Sequence, residues 1–242
     1  MPPLQQPCNS QGTTIICLLN DKDDKDEKEE DNPEYYDIRY ANYQEALDEN
    51  EHQKICYFGL SYPQYKFKLN FELPVNLYSL SLVGCKIKTF NIDLPKNLIN
   101  LNLSKNHLRK IPDNLPNSLL QLDVSNNNIR RVWKYPPVLE KFNCKNNSIT
   151  KIPDTFPESI KKVNLSYNKI EILPKEIPKN MNLLEIHYNR IDELPVSIAN
   201  CQEIEVQWEG NIVEELPVEI DNALLTNIND VDYKNFIINK NI

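Results

Sequence analysis

Glycine and alanine are scarce in this chain, with four of each among 242 residues. So few glycines leave no room for a glycine-rich phosphate loop, and no such motif is present. Histidine is scarcer still: His52, His107 and His187 stand far apart, without HxxxH or His–carboxylate spacing. The six cysteines, at 8, 17, 56, 85, 144 and 201, include no CxxC pair and have no histidine at zinc spacing. These absences predict no metal, no cofactor and no catalytic residue. They also predict reduced thiols in a reducing compartment, and hence a cytoplasmic protein. No run of 18 apolar residues occurs, so no membrane span is expected. The run "TTIICLL" lacks a basic start and leads into acid, unlike a secretory signal.

Positive charge is missing from one end only. Residues 1–52 hold 4 basic and 14 acidic side chains, a balance of −10, and the remaining 190 hold 23 and 21, a balance of +2. The body therefore lacks the concentrated basic character of a nucleic-acid binder. Residues 1–32, centred on "DKDDKDEKEED", bury little and are predicted to be a disordered acidic leader. Residues 33–54 read as a helical N-terminal cap. Asn32 caps it, Pro33 and Glu34 suit its first turn, and Tyr36, Tyr40, Tyr43 and Leu47 form one stripe.

Proline, by contrast, is abundant and regular. An apolar–Pro–polar–polar–apolar motif places prolines at 74, 95, 116, 136, 157 and 178, spaced by 21, 21, 20, 21 and 21. Between them runs L-x-x-L-x-L-x-x-N-x-L-x-x-L-P, with apolar residues at offsets 0, 3, 5, 10 and 13 and asparagine at offset 8. Good copies start at Leu98, Leu119, Leu139, Ile160 and Met181. A weaker copy starts at Leu77, with Cys85 in the asparagine place. Another starts at Glu203, and "FKLNFELPVN" is a worn half-repeat.

This frame resembles the leucine-rich repeat, over roughly 55–217. Its short length and paired prolines are similar to the LPX-type repeats of secreted bacterial effectors, and to repeats in proteins of large DNA viruses and amoebae. The resemblance implies a repeat solenoid, mainly β: a parallel-strand arc closed by an N-terminal helical cap and a C-terminal cap. The residues lead to the same fold. L-x-L is a short strand with both apolar side chains inward, and stacking coils about 4.8 Å apart buries them. Asn106, Asn127, Asn147, Asn168, Asn189 and Asn211 are expected to form a structural ladder pairing the backbone inside each turn. Two prolines in nine residues deny the outer side a helix, so that side should be extended or polyproline-like. Residues 218–242 carry apolar side chains suited to a C-terminal cap, read as helical.

Offsets 2, 4, 6 and 7 are expected to face solvent on the concave side. Along them the early coils are small and neutral, the middle is basic, and the last coils are aromatic and acidic. Interfaces favour aromatic anchors in a polar rim. The predicted partner site is therefore Lys141, Lys145, Lys162, Tyr167, Glu185, His187, Tyr188, Glu205 and Glu209, with Tyr167 and Tyr188 as anchors. Function is expected to be non-catalytic protein–protein interaction by a monomer, without nucleic acid or membrane. The alternative is a substrate-recruiting adaptor or effector linked to a ubiquitin ligase. The effectors that these repeats resemble carry such a ligase domain with a C-x-D nucleophile. Here Cys201 continues "QE" and Cys144 continues "KN", and 25 residues follow Pro217. Trp133 stands where other coils have proline and is expected to be partly exposed; Trp208 falls on an inward offset.

Overall fold

The computed structural model describes residues 14–18, 55–61, 73, 75, 77–225 and 235–239. The helix expected at 33–54, with its tyrosine stripe, lies outside the described residues. Among these residues, one sheet of ten strands runs in sequence order. Its strands are β1 Thr14–Leu18, β2 Ile55–Ser61, β3 Ser79–Val83, β4 Asn100–Asn102, β5 Gln121–Asp123, β6 Lys141–Asn143, β7 Lys162–Asn164, β8 Leu183–Glu185, β9 Glu203–Gln207 and β10 Asn235–Asn239. Strands β1 to β9 are parallel neighbours, and β10 returns antiparallel to β9.

Register follows the repeat. Leu80, Leu101, Leu122, Phe142, Val163, Leu184 and Val206 pair in one continuous row. A slip of one residue would turn that row outward, so burial itself locks the register. Inside, the offset-0 residues from Leu77 to Met181 are sealed, as are those at offset 5 (Leu82, Leu103, Val124, Cys144, Leu165, Ile186). Ile87, Leu108, Ile129, Ile149, Ile170 and Ile191 close the far side at offset 10. Each coil buries its apolar edge only because its neighbours cover it.

The asparagine ladder fills the turn between these apolar columns. In Asn168, Oδ1 accepts from the Ile149 N–H at 2.9 Å, while Nδ2 donates to Cys144 O at 3.1 Å and Leu165 O at 2.9 Å. Asn106, Asn127, Asn147 and Asn189 repeat this pattern, each reaching the preceding coil and its own. Asn211 does the same against Ile191, Ile186 and Trp208. In the first coil the Cys85 thiol donates to Val83 O at 3.6 Å. That is a weaker substitute for an amide.

The regular prolines have a second task beyond excluding helix. Carbonyls of Pro95, Pro116, Pro136, Pro157 and Pro178 accept from the N–H three residues on, at 2.9–3.3 Å. Each proline thus opens the tight turn that returns the chain to its strand. Between Gly84 and Pro195 the outer side holds no helix and forms parallel bridges, Arg131 with Lys151 and Thr155 with Glu176. Where the next proline is due, the chain has Ala199, and there Val196–Asn200 winds into a 3-10 turn. Helical winding enters where the second proline drops out.

Two expectations are corrected at the ends. Thr14–Leu18, inside the expected disordered leader, forms β1, because "TIICL" is β-branched and apolar enough to extend the sheet. At the other end, Val218–Leu225 is helical (α1) among the described residues, and Ile220 packs inward. Residues 235–239, read as part of a helical cap, are a strand. "NFIIN" favours extended chain, and the outer edge of β9 offers an unpaired ladder for it.

Candidate functional site

The parallel strands leave a shallow trough on the concave face, about 490 Å³ in volume, running from Ser79 to Glu185. Offset 2 supplies one wall. Lys141 and Lys162 are adjacent rungs of that wall, both exposed. Like charges on neighbouring strands repel, and neither has an ion pair among the described residues. The result is two adjacent lysines without an ion pair at mid-trough, with Asp123 and Glu185 on the flanking strands.

Offset 4 does a different job from the one expected. Oδ1 of Asn102, Asp123, Asn143 and Asn164 each accepts from the N–H two residues on, at 2.8–3.1 Å. These side chains cap the strand exits as Asx turns, and only their outer atoms face the trough. Offset 6 is likewise corrected. Ser104, Ser125 and Ser166 are buried, because the chain is already turning inward and a small hydroxyl tucks beneath it. Lys145 at the same offset is exposed, while His187 and Glu209 are half-buried.

Offset 7 holds the feature that sequence reasoning missed. Gly84, Lys105, Asn126, Asn146, Tyr167, Tyr188 and Gly210 all take positive φ, between 51° and 74°. The left-handed step turns the chain while its N–H still bonds the next coil, as in Tyr167 to His187 O at 2.8 Å and Tyr188 to Glu209 O at 2.7 Å. The glycines and asparagines recurring in this column were the legible signal. Two tyrosines occupy a position that suits them poorly.

Those tyrosines form a column. Their rings stack with centroids 4.7 Å apart and 23° between planes. Lys145 Nζ lies 5.3 Å from the Tyr167 ring centroid, within cation–π range. Beneath, Gly210 lies flat against Tyr188, where a Cβ would come within 2.6 Å of ring Cδ1. On the inner side, His187 Nε2 pairs with Gln207 Oε1 at 2.9 Å, and Gln207 donates to Glu205. The Gln207 carbonyl fixes the proton on Nε2. The structure thus joins Lys145, Tyr167 and Tyr188 in one cluster and His187 with Glu205 in another. Glu185 is half-buried on the trough wall.

Cys85, Cys144 and Cys201 are buried. Burial pushes the Cys85 thiol up to about 12. Burial, reinforced by nearby Asp123, raises Cys144 well above the usual thiol range. Raised thiols resist becoming the thiolate that covalent catalysis requires. The unfolded chain releases these protons near pH 9 while the folded chain holds them. The contribution of these thiols to stability should therefore be level below pH 9 and fall as pH climbs toward 12. Denaturant melts across that window check the sign.

Stacked coils, an L-x-L parallel sheet and an inward asparagine ladder define a leucine-rich-repeat solenoid. Residues 97–118 match the sequence model of the Leucine Rich Repeat family. The fold is similar to that of YopM, a leucine-rich effector protein from Yersinia pestis, at 25% identity and TM-score 0.50, over 68% of this chain and 51% of that one. It is also similar to a leucine-rich-repeat protein of Leptospira interrogans, at 25% identity and TM-score 0.54, over 71% and 54%. The chain spans about half the length of these proteins. No curated protein matches it in sequence. Among the described residues, no helix is long and apolar enough to cross a membrane.

Proposed function

We propose that this chain is a non-catalytic recognition module that captures a protein partner on the concave face between Lys141 and Glu209. The observation that carries the reading is the tyrosine column. Left-handed backbone disfavours a bulky side chain by about 1–2 kcal/mol per residue, whereas the same offset elsewhere holds glycine or asparagine, except for Lys105. Tyr167 and Tyr188 nonetheless occupy it, each with 46% of its surface exposed. Strain of this kind, kept on an exposed aromatic face, supports a binding role.

Charge narrows the partner. Lys141, Lys145 and Lys162 favour an acidic segment, while Glu185, Glu205 and Glu209 favour a basic one a few coils along. A partner strand or helix with acidic and basic ends would match both, with a planar or apolar side chain against the tyrosines. One of the similar structures is an effector protein, and the proposed role is of that kind, acting by binding. The buried thiols support a cytoplasmic setting.

Display of a random peptide library tests the reading. Selection on the parent chain should enrich sequences with acidic and aromatic residues in fixed register. The variant Tyr167→Asn, Tyr188→Asn, Lys145→Glu, Lys162→Glu should bind those peptides at least about a hundredfold more weakly. Its unfolding midpoint should stay near the parent's, because asparagine suits the left-handed site. Equal binding by parent and variant would reject the concave site.

A further inference from the structure

Away from the concave face, offsets 11 and 12 form a second exposed surface on the outer flank. Its basic half is Arg109, Lys110, Arg130, Arg131 and Lys151, all exposed. Its acidic half, on the three following coils, is Glu171, Asp192, Glu193, Glu214 and Glu215, also exposed. A backbone bridge aligns Arg131 with Lys151 on the neighbouring coil. Internal pairing takes up little of this charge: Lys110 meets Asp113, and Arg190 comes within 3.9 Å of Glu171. The flank changes sign abruptly, between Lys151 and Glu171.

That pattern is complementary to itself when inverted. A two-fold axis lying in the flank between these coils reverses the coil order but keeps each column opposite itself. Arg130 then faces Asp192 of the second copy, Arg131 faces Glu193, Arg109 faces Glu214 and Lys110 faces Glu215. The axis repeats every pair. Three large apolar side chains lie on or beside the stripe. Ile172, 78% exposed, sits beside the axis and comes opposite the aliphatic stem of Lys151 of the second copy, while Glu171 comes opposite Thr150. Trp133, 70% exposed and covered on one face by Arg131 at 4.5 Å, comes opposite the Pro195–Val196 edge of the second copy. Val196 is exposed there too.

From this match of charge and apolar residues we propose that the flank is an isologous interface, and that its occupant is a second copy of the chain in antiparallel orientation. Residue i meets j and j meets i, as a two-fold interface requires. The surface is only two columns wide, so the association belongs to the weak, electrostatically steered class. It leaves both concave faces open, and so stands independently of the partner site. The monomer expected from sequence is replaced by a salt-sensitive dimer.

Sedimentation velocity on the full chain tests this, with charge reversals as arms. At about 20 mM salt the parent should dimerise, and raising salt past the point where screening reaches contact distance should weaken the dimer about tenfold or more. The variant Arg130→Glu/Arg131→Glu should be monomeric, as should Asp192→Lys/Glu193→Lys. An equimolar mixture of the two should dimerise again, since each supplies what the other lost. Unfolding midpoints near the parent's would show that exposed substitutions left the fold intact. A parent that stays monomeric at low salt, variants that dimerise like the parent, or a mixture that stays monomeric would each overturn the proposal.

Discussion

Replacing Asn168 by leucine is expected to lower the unfolding free energy by about 3 kcal/mol, measured by urea titration. Its amide is the partner of the Ile149 N–H, and the side chain is 9% exposed. Carbonyls of Cys144 and Leu165 each accept from two successive asparagines, Asn147 with Asn168 and Asn168 with Asn189. Leucine would orphan one buried donor outright and take one of two partners from each carbonyl. A buried unsatisfied group costs about 1–3 kcal/mol, and the two half-satisfied carbonyls add to it. Asn168→Asp separates this account from simple packing. Aspartate keeps the acceptor for Ile149 but turns a charged oxygen toward two carbonyls, which raises its pKa. Its folded pKa then exceeds the unfolded one, so the deficit against the parent should shrink as pH falls through the folded value. A deficit that ignores pH, or a leucine variant within about 0.5 kcal/mol of the parent, would refute the ladder's energetic role.

The solenoid was legible because its physics is periodic. A single coil says little, but five copies of the same apolar spacing admit one stacking, and the structure pairs those rows without a slip. Asparagine at offset 8 was legible too, since a buried amide has few uses besides pairing backbone. The site was legible only in part. Offset 6 is outward by simple alternation, yet the strand ends at offset 4 and the chain turns, so Ser104, Ser125 and Ser166 are buried. Alternation fails where a strand is three residues long. The positive φ at offset 7 could have been read from Gly84, Asn126, Asn146 and Gly210, but the tyrosines, taken as contact residues, hid the backbone reason for the column. The charge stripe at offsets 11 and 12 was present in the letters. It emerges only when residues are compared down columns on the outer side, where the regular prolines draw attention first.

Phe142→Ala is the companion test, aimed at packing rather than pairing, and it too sits under the proposed site. Offset 3 is leucine or valine in the neighbouring coils, yet here it is phenylalanine, 2% exposed. The coil before it has 20 residues instead of 21, and two further aromatics fill the same layer. Tyr135 meets Phe142 edge-on, with centroids 5.3 Å apart, and Phe156 lies 5.6 Å from Tyr135. Truncation to alanine should cost about 3–5 kcal/mol, because the surrounding aromatics cannot collapse into the space. Phe142→Leu, which copies the neighbouring coils, should cost about 1.5 kcal/mol or less. In a solenoid each coil contacts only its neighbours, so a weakened middle coil uncouples the halves on either side. Trp133 precedes Phe142 by one coil and Trp208 lies in the last, which gives a fluorescence reporter for each half. In single-tryptophan versions of the parent, the two reporters should unfold together. In Phe142→Ala their midpoints should separate, and peptide capture by Lys145, Tyr167 and Tyr188 should weaken in parallel with the less stable half. Coincident transitions with a loss below about 1 kcal/mol would mean that the aromatic layer does not couple the coils, and that the site's lysines and tyrosines are held in place by the backbone ladder alone.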